Sequence, residues 1–150
     1  MTYAFPDLCI VCEGERDRAI LAVLVDRLLR LNSISRRVEI LVANGKVVVP
    51  RLVQAAEARF SPDSLVVVVD SDGRPRAVRK MLERSFRGRE HWIVIAHPNV
   101  ESWVTAGRFR NFHSDDLQNA ATRANLTWIE TQHPEFRLLR EALTSFPLPQ

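Results

Sequence analysis

The sequence predicts an α/β fold: an open, mostly parallel four-stranded sheet with helices on both faces, followed by a helical C-terminal extension. Short apolar runs alternate with amphipathic segments along most of the chain. Strand–helix alternation of this kind is typical of parallel sheets, whose strands need crossover connections. The run at 65–69, LVVVV, is apolar on both faces, as expected for a strand covered by helices on both sides.

The first half of the chain is predicted to contain two strands and two helices. Leu8–Cys12 is a wholly apolar strand, and Glu15–Leu31 is a helix with apolar residues three and four positions apart. A second strand at 38–43 ends at an Asn-Gly turn. Pro50 suits the first turn of the helix that follows.

The second half is predicted to contain, in order, a strand at 65–69, a helix at 74–87, a strand at 92–96 and a short helix at 100–106. Ser114 is predicted to cap a further helix, and a last helix begins near Pro134. We expect one domain over residues 1–150, with a core at about 8–105 and a helical extension at about 106–150.

Composition limits the function only loosely. The net charge is +3, and lysine occurs only at positions 46 and 80, so the other cations are arginines, which suit phosphate. A codon preference explains the same bias equally well. No apolar run approaches the roughly 20 residues needed to span a bilayer, and no signal-like stretch begins the chain. We expect a cytoplasmic protein without a membrane partner.

The two cysteines, Cys9 and Cys12, form a lone C-x-x-C pair. A zinc site would need two more ligands, and no second such pair is present. Both lie in the first predicted strand, where residues three apart point to opposite faces. We therefore expect cysteines of the core rather than metal ligands.

Acidic residues follow three of the four predicted strands. Glu13 follows the first, Asp70 ends the third with Asp72 two residues later, and Glu101 lies beyond the fourth. The carboxyl ends of parallel strands form the ligand-binding edge of such sheets. Asp17 in the next helix can lean toward the same cluster. Carboxylates gathered together repel unless a cation neutralises them, and oxygen ligands suit Mg²⁺ or Mn²⁺.

Three of these acids have a plain structural alternative. Asp17 also suits a helix N-terminus, where the dipole favours negative charge. Asp72 with Gly73 also suits a turn, and Glu101 also suits an exposed helix position. Asp70 directly follows a run of apolar strand residues, so its charge needs a reason. Because Asp70 and Asp72 are two apart, they face the same way if the chain is extended.

Four segments carry a resemblance to a known family. IVCEGERD at 10–17 resembles the first motif of TOPRIM domains, and VVVDSDG at 67–73 resembles their Asp-x-Asp motif. ANGK at 43–46 resembles a Gly-Lys turn in overcoming-lysogenization-defect (OLD) nucleases. HPNVESW at 97–103 is similar to a Pro-x-x-Glu-x-Trp segment of small bacterial TOPRIM proteins in that branch. The resemblance covers about residues 8–105 and implies a Rossmann-like fold.

The resemblance also implies roles for the acids. Glu13, Asp70 and Asp72 become the core ligands of Mg²⁺ or Mn²⁺, and Asp17 and Glu101 complete a site for a second ion. The implied activity is a metal-dependent nuclease that hydrolyses phosphodiester bonds, with two ions clamping the attacking and leaving oxygens.

Lys46, on the turn after the second strand, is the fourth predicted catalytic residue beside Glu13, Asp70 and Asp72. Its ammonium can stabilise the charge that develops on the phosphoryl group. A solvent-exposed turn lysine is an equally open alternative.

The third predicted helix has a basic face, formed by Arg76, Arg79, Lys80, Arg84 and Arg87. This helix follows Asp72 directly, so its basic face begins beside the acids. We expect it to bind the phosphate backbone of nucleic acid with weak sequence preference. DNA is favoured over RNA as the partner, and RNA stays open. The alternative is an ordinary solvated face.

Three other classes of protein share parts of this pattern. A topoisomerase needs a tyrosine nucleophile, and only Tyr3 is present; a primase needs a zinc module, which is absent. A phosphoacceptor receiver-like domain with Asp70 as acceptor needs a lysine after a fifth strand, and none is present there. A non-catalytic TOPRIM module that binds nucleic acid or a partner stays open.

The family resemblance extends to partners. Small TOPRIM proteins of this branch resemble effectors of bacterial anti-phage or toxin systems, sometimes acting with an ATPase on another chain. No G-x-x-x-x-G-K-[ST] loop is present, so we expect any ATPase to act in trans. A homodimer is a further expectation, with Trp103, Phe109 and Phe112 as candidates for its interface.

Overall fold

The structure, a computed structural model, describes residues 5–86, 92–105 and 113–145. Its sheet has four parallel strands in the order β2-β1-β3-β4. The strands are β1 (Leu8–Cys12), β2 (Val38–Val42), β3 (Ser64–Asp70) and β4 (Trp92–Ala96). The predicted α/β class, with a four-stranded parallel sheet, helices on both faces and a helical C-terminal part, is confirmed.

The helices largely follow the predicted pattern. They are α1 (Glu15–Leu31), α2 (Val49–Phe60), α3 (Pro75–Ser85), α4 (Ser102–Thr105), α5 (Ser114–Arg123), α6 (Leu126–Gln132) and α7 (Phe136–Thr144). A short 3₁₀ turn at Lys46–Val48 precedes α2. Ser114 is the first residue of α5 rather than its cap, and His113 occupies the cap position. Helix α6 was not predicted, because its seven residues carry too little periodic pattern.

The sheet separates two hydrophobic layers. Helices α2 and α3 pack on one face, while α1 and α4 to α7 pack on the other. Cys9 lies in the first layer and Cys12 in the second, both buried with free thiols, as predicted from their spacing. All five β1 residues are fully buried, since the strand is central in the sheet and covered on both sides.

The C-terminal helices share their core with the sheet. Phe136 and Leu139 of α7 belong to the same buried cluster as Ile10 of β1. Trp103 is fully buried and packs edge-on against Phe136, with ring centroids 5.2 Å apart. The expectation that Trp103 supplies an interface is therefore wrong, since its ring is used inside the chain. Phe109 and Phe112 lie outside the described residues.

The chain leaves β1 toward one face of the sheet and leaves β3 toward the other face. Helix α1 follows β1 on one face, and α3 follows β3 on the other. Because β1 and β3 are neighbours, a crevice opens between the diverging chains beyond their carboxyl ends. Within the described ranges, no helix combines the length and apolar character needed to cross a bilayer.

One arginine of α1 links this helix to the C-terminal end of α5 by hydrogen bonds. The Arg27 guanidinium donates hydrogen bonds to the carbonyls of Ala121 (2.7 Å) and Ala124 (2.8 Å), at the C-terminal end of α5. These carbonyls lack helical partners, so a cation there satisfies them and complements the helix dipole.

We expect Arg27→Met to lower the free energy of unfolding by about 1–3 kcal/mol, because the apolar stem is kept while both charged hydrogen bonds are lost. The matched control is Arg30→Met, one turn later on α1, which breaks only the exposed ion pair with Asp26. That change should cost less than about 1 kcal/mol. Urea denaturation measures both, and equal losses would contradict the fastening role.

Candidate metal centre

Glu13 and Asp70 meet at the crevice between β1 and β3. The Glu13 carboxylate (Oε1) accepts the backbone N–H of Asp70 at 2.6 Å. Asp70 in turn accepts the backbone N–H of Val100 at 2.9 Å through Oδ1. The ends of β1 and β3 and the chain after β4 are therefore joined through carboxylates, and both acids stand where the sequence predicts them.

Asp17 lies in the first turn of α1 with only 7% of its surface exposed. Burial, followed by the charges of Asp70 and Glu13, raises the pKa of Asp17 to about 7. Glu101 adds to the same effect. The helix dipole favours the ionised form of Asp17, whereas burial and the neighbouring carboxylates disfavour it.

Asp70 experiences the same electrostatic field. Burial raises the pKa of Asp70 to about 6, the hydrogen bond from Val100 opposes this rise, and the charges of Glu13 and Asp72 reinforce it. Each predicted acid thus influences at least one other, and the five carboxylates form one electrostatic cluster. We call Glu13, Asp17, Asp70, Asp72 and Glu101 the acidic cluster.

Lys46 lies between two members of the acidic cluster. Its ammonium hydrogen-bonds Asp72 and lies 3.5 Å from Glu13 Oε1. Burial disfavours the charged lysine, but the hydrogen bond to Asp72 and the charge of Glu13 outweigh burial, so the pKa of Lys46 is raised. The side chain is only 15% exposed, which excludes the alternative of a free surface lysine.

Asp72 departs from the extended geometry that was expected. Strand β3 ends at Asp70, and Asp72 has a φ of 51°, inside a turn that continues through Gly73. The expectation that Asp70 and Asp72 face the same way is therefore wrong, because it assumed that the chain stays extended as far as Asp72. The turn directs Asp72 to Lys46, and its side chain is 67% exposed.

Glu101 is held by a residue that the sequence analysis missed. Arg16 Nε, in the first turn of α1, lies 2.9 Å from Glu101 Oε1. Its place beside Asp17 in the segment at 10–17 is a signal that could have identified it.

The side chains as placed do not yet form a complete metal shell. Within the described ranges, no three acidic, histidine or cysteine side chains converge on a point that would hold an ion. Among the residues that the structure describes, two cations, Lys46 and Arg16, pair with carboxylates of the acidic cluster. The excess of oxygen-only negative groups over these cations fits a hard divalent cation.

Ser71, between Asp70 and Asp72, stabilises the turn after β3 by hydrogen bonds. It is fully buried, its Oγ lies 2.7 Å from His97 Nδ1, and it accepts the Gly73 backbone N–H at 3.2 Å. Because the hydroxyl is enclosed and shared among these contacts, it holds the turn rather than serving as an accessible nucleophile.

The basic face of α3 is exposed along its length. Arg76, Lys80 and Arg84 have no ion-pair partner among the residues the structure describes. Arg79 lies 3.8 Å from Glu83 and 3.4 Å from the Ile93 carbonyl, so it is partly engaged. Arg87 lies outside the described residues. The exposed Arg74, just before α3, extends this face toward Asp72 and was not predicted.

The fold and site define a doubly wound α/β protein with an acidic cluster at its strand-order reversal. No family model matches the chain, and no curated protein matches it. The residues and their geometry therefore carry the functional assignment.

We expect Asp17→Asn to stabilise the metal-free protein. The folded-state pKa of Asp17 lies above its ordinary value of 3.8, so stability is lost as the pH rises through about 7. Asparagine removes this loss and should raise the free energy of unfolding by about 1–3 kcal/mol near pH 8, and by less near pH 5.5.

Urea denaturation with EDTA at both pH values measures this effect. Glu15→Gln is the control, since Glu15 shares the first turn of α1 but is 68% exposed. Loss of a simple helix N-terminal acid destabilises, so Glu15→Gln should have the opposite sign. A destabilising Asp17→Asn would show that Asp17 serves the helix alone.

Proposed function

We propose that this protein is a Mg²⁺- or Mn²⁺-dependent nuclease that hydrolyses phosphodiester bonds of nucleic acid. The observation that carries the proposal is the buried Asp17 carboxylate, which lies within the electrostatic influence of Glu13 and Asp70 and has no ion pair among the described residues. A fold keeps such an arrangement at a cost in stability, which a divalent cation would relieve.

The acidic cluster would hold one or two ions, with Glu13, Asp70 and Asp72 as core ligands and Asp17 and Glu101 completing the set. When bound, such ions activate water and neutralise charge on the leaving oxygen of a phosphodiester. Glu13 and Asp70 are already fixed by backbone N–H groups, which leaves their remaining oxygens free to act as ligands. No nucleophile from the protein is required.

Lys46 supplies the positive charge that the protein itself contributes. Its ammonium is held at the acidic cluster by Asp72 and Glu13. From this position the ammonium would bind a non-bridging phosphate oxygen of a nucleic acid held at the acidic cluster. There it stabilises the negative charge that grows on the phosphoryl group during hydrolysis.

The basic face of α3 would position the polymer. Arg74, Arg76 and Lys80 lie on the chain that leaves Asp72, so a phosphate backbone following this face reaches the acidic cluster. Arginine and lysine contacts to phosphate carry no base identity, so we infer weak sequence preference. The expectation of DNA over RNA is separate, because both polymers offer the same phosphates.

The biological setting of this proposal comes from the family resemblance. A TOPRIM nuclease of the OLD-like branch suggests an effector in bacterial anti-phage or toxin defence, with an ATPase or another subunit in trans and self-association as a homodimer. The acidic cluster is built from one chain in the described residues, which supports testing the protein first without a partner.

We expect Asp70→Asn to abolish metal-dependent cleavage, with a loss of at least about 100-fold, because removal of outer-shell groups alone commonly costs 10–100-fold. Asparagine can still accept the Val100 N–H, so the fold is preserved. Supercoiled plasmid, linear duplex and single-stranded RNA are each incubated with Mg²⁺, Mn²⁺ or EDTA.

Asp26→Asn is the matched control, because it removes an exposed carboxylate on α1 far from the acidic cluster. It should cut like the wild type. Equal cutting by the Asp70→Asn variant would assign the activity to a contaminant. Binding of nucleic acid without cleavage under every condition would favour the non-catalytic module instead.

We expect the triple change Arg76→Gln, Lys80→Gln and Arg84→Gln to weaken nucleic-acid binding and to reduce the salt slope of log K by about 2–3. The control replaces Arg30, Arg123 and Arg137, exposed residues of helices on the other face, with glutamine. Fluorescence anisotropy across a salt series measures both variants. Equal weakening would indicate a general charge effect.

A further inference from the structure

Two residues of the C-terminal part hydrogen-bond the backbone of His97, which directly follows β4. Glu135 Oε2 accepts the His97 backbone N–H at 2.8 Å. His133 Nδ1 lies 3.1 Å from the His97 carbonyl. A carbonyl can only accept, so Nδ1 carries the proton and the Nδ1–H donates to it. Both polar groups of one peptide residue are thus held by side chains 36 and 38 positions later.

The same carboxylate satisfies a buried indole. Trp103 is fully buried, and its Nε1–H donates to Glu135 Oε2 at 3.1 Å. Glu135 and His133 are themselves only 15% and 13% exposed. A single Glu135 oxygen therefore accepts hydrogen bonds from both ends of the segment 97–103, which we call the β4 loop. Because these groups are enclosed, water would replace the lost hydrogen bonds poorly.

The β4 loop carries two parts of the acidic cluster. Its Val100 N–H binds Asp70 Oδ1, which leaves the second oxygen of Asp70 for another partner. Glu101 follows directly. At the start of the loop, the His97 ring contacts Ser71, the residue between the two aspartates. A shift of the loop would therefore displace the carboxylates of both Asp70 and Glu101.

We propose that Glu135 and His133 are positioning residues of the metal centre: they clamp the β4 loop so that the Val100 N–H and Glu101 stay in register with Asp70. The inference rests on the proposed function and assigns a task to the C-terminal part, for which no motif indicates a role. Neither residue belongs to the acidic cluster, and their effect reaches it through the β4 loop.

The test compares Glu135→Ala, Glu135→Gln and His133→Phe with the wild-type chain. Amide exchange by NMR reports on the Val100 N–H, with the Ile10 amide of the central strand as the reference for global opening. Titration calorimetry measures Mn²⁺ affinity. Glu135→Gln keeps an acceptor, and His133→Phe removes one donor while leaving the Trp103 contact in place.

We expect Glu135→Ala to reduce the protection of Val100 relative to Ile10 and to weaken Mn²⁺ binding by about 10- to 100-fold. His133→Phe should act in the same direction, and Glu135→Gln should restore most of both. The control is Glu130→Ala, which breaks the ion pair with Arg140 in the same C-terminal part but does not touch the β4 loop.

Unchanged Val100 protection in Glu135→Ala and His133→Phe would overturn the clamp, as would an equal effect from Glu130→Ala. The two proposals fail separately. A wild-type chain that neither binds Mn²⁺ nor cuts nucleic acid overturns the nuclease, and the Val100 amide then decides on its own whether the β4 loop is clamped.

Discussion

Repulsion among carboxylates that water reaches poorly is the constraint around which this molecule is arranged. Glu13, Asp17 and Asp70 meet where β1 and β3 diverge, and burial raises the pKa of both aspartates. The surrounding contacts reduce this repulsion: backbone N–H groups donate hydrogen bonds to Glu13 and Asp70, and Lys46 supplies a compensating positive charge.

The sheet and its acidic edge were largely predictable from the sequence because local patterns determine them. Apolar strands such as β1, and the periodic helix α1, were located to the residue. An acid that ends a buried strand must emerge at the sheet edge whatever the details, so Glu13 and Asp70 could be assigned. That Cys9 and Cys12 lie on opposite faces of the sheet followed from strand alternation alone.

What could not be predicted depends on contacts between distant segments. Nothing near Glu135 indicates that its carboxylate binds the His97 backbone, and Arg27 gives no local sign of binding α5. Asp72 was misjudged for a different reason: the extended chain was assumed to continue, whereas Gly73 permits a turn immediately after β3. Short helices such as α6 depend on tertiary packing more than on their own pattern.

The backbone at Asp72 restricts which acid can stand there. With a φ of 51°, the residue adopts a left-handed conformation that aspartate and asparagine tolerate better than most other residues. Glutamate carries the same charge, yet its longer side chain lacks the short polar group that eases this geometry. Side-chain length at this place is therefore restricted by the main chain as well as by any ligand, and swapping one acid for the other would not be conservative.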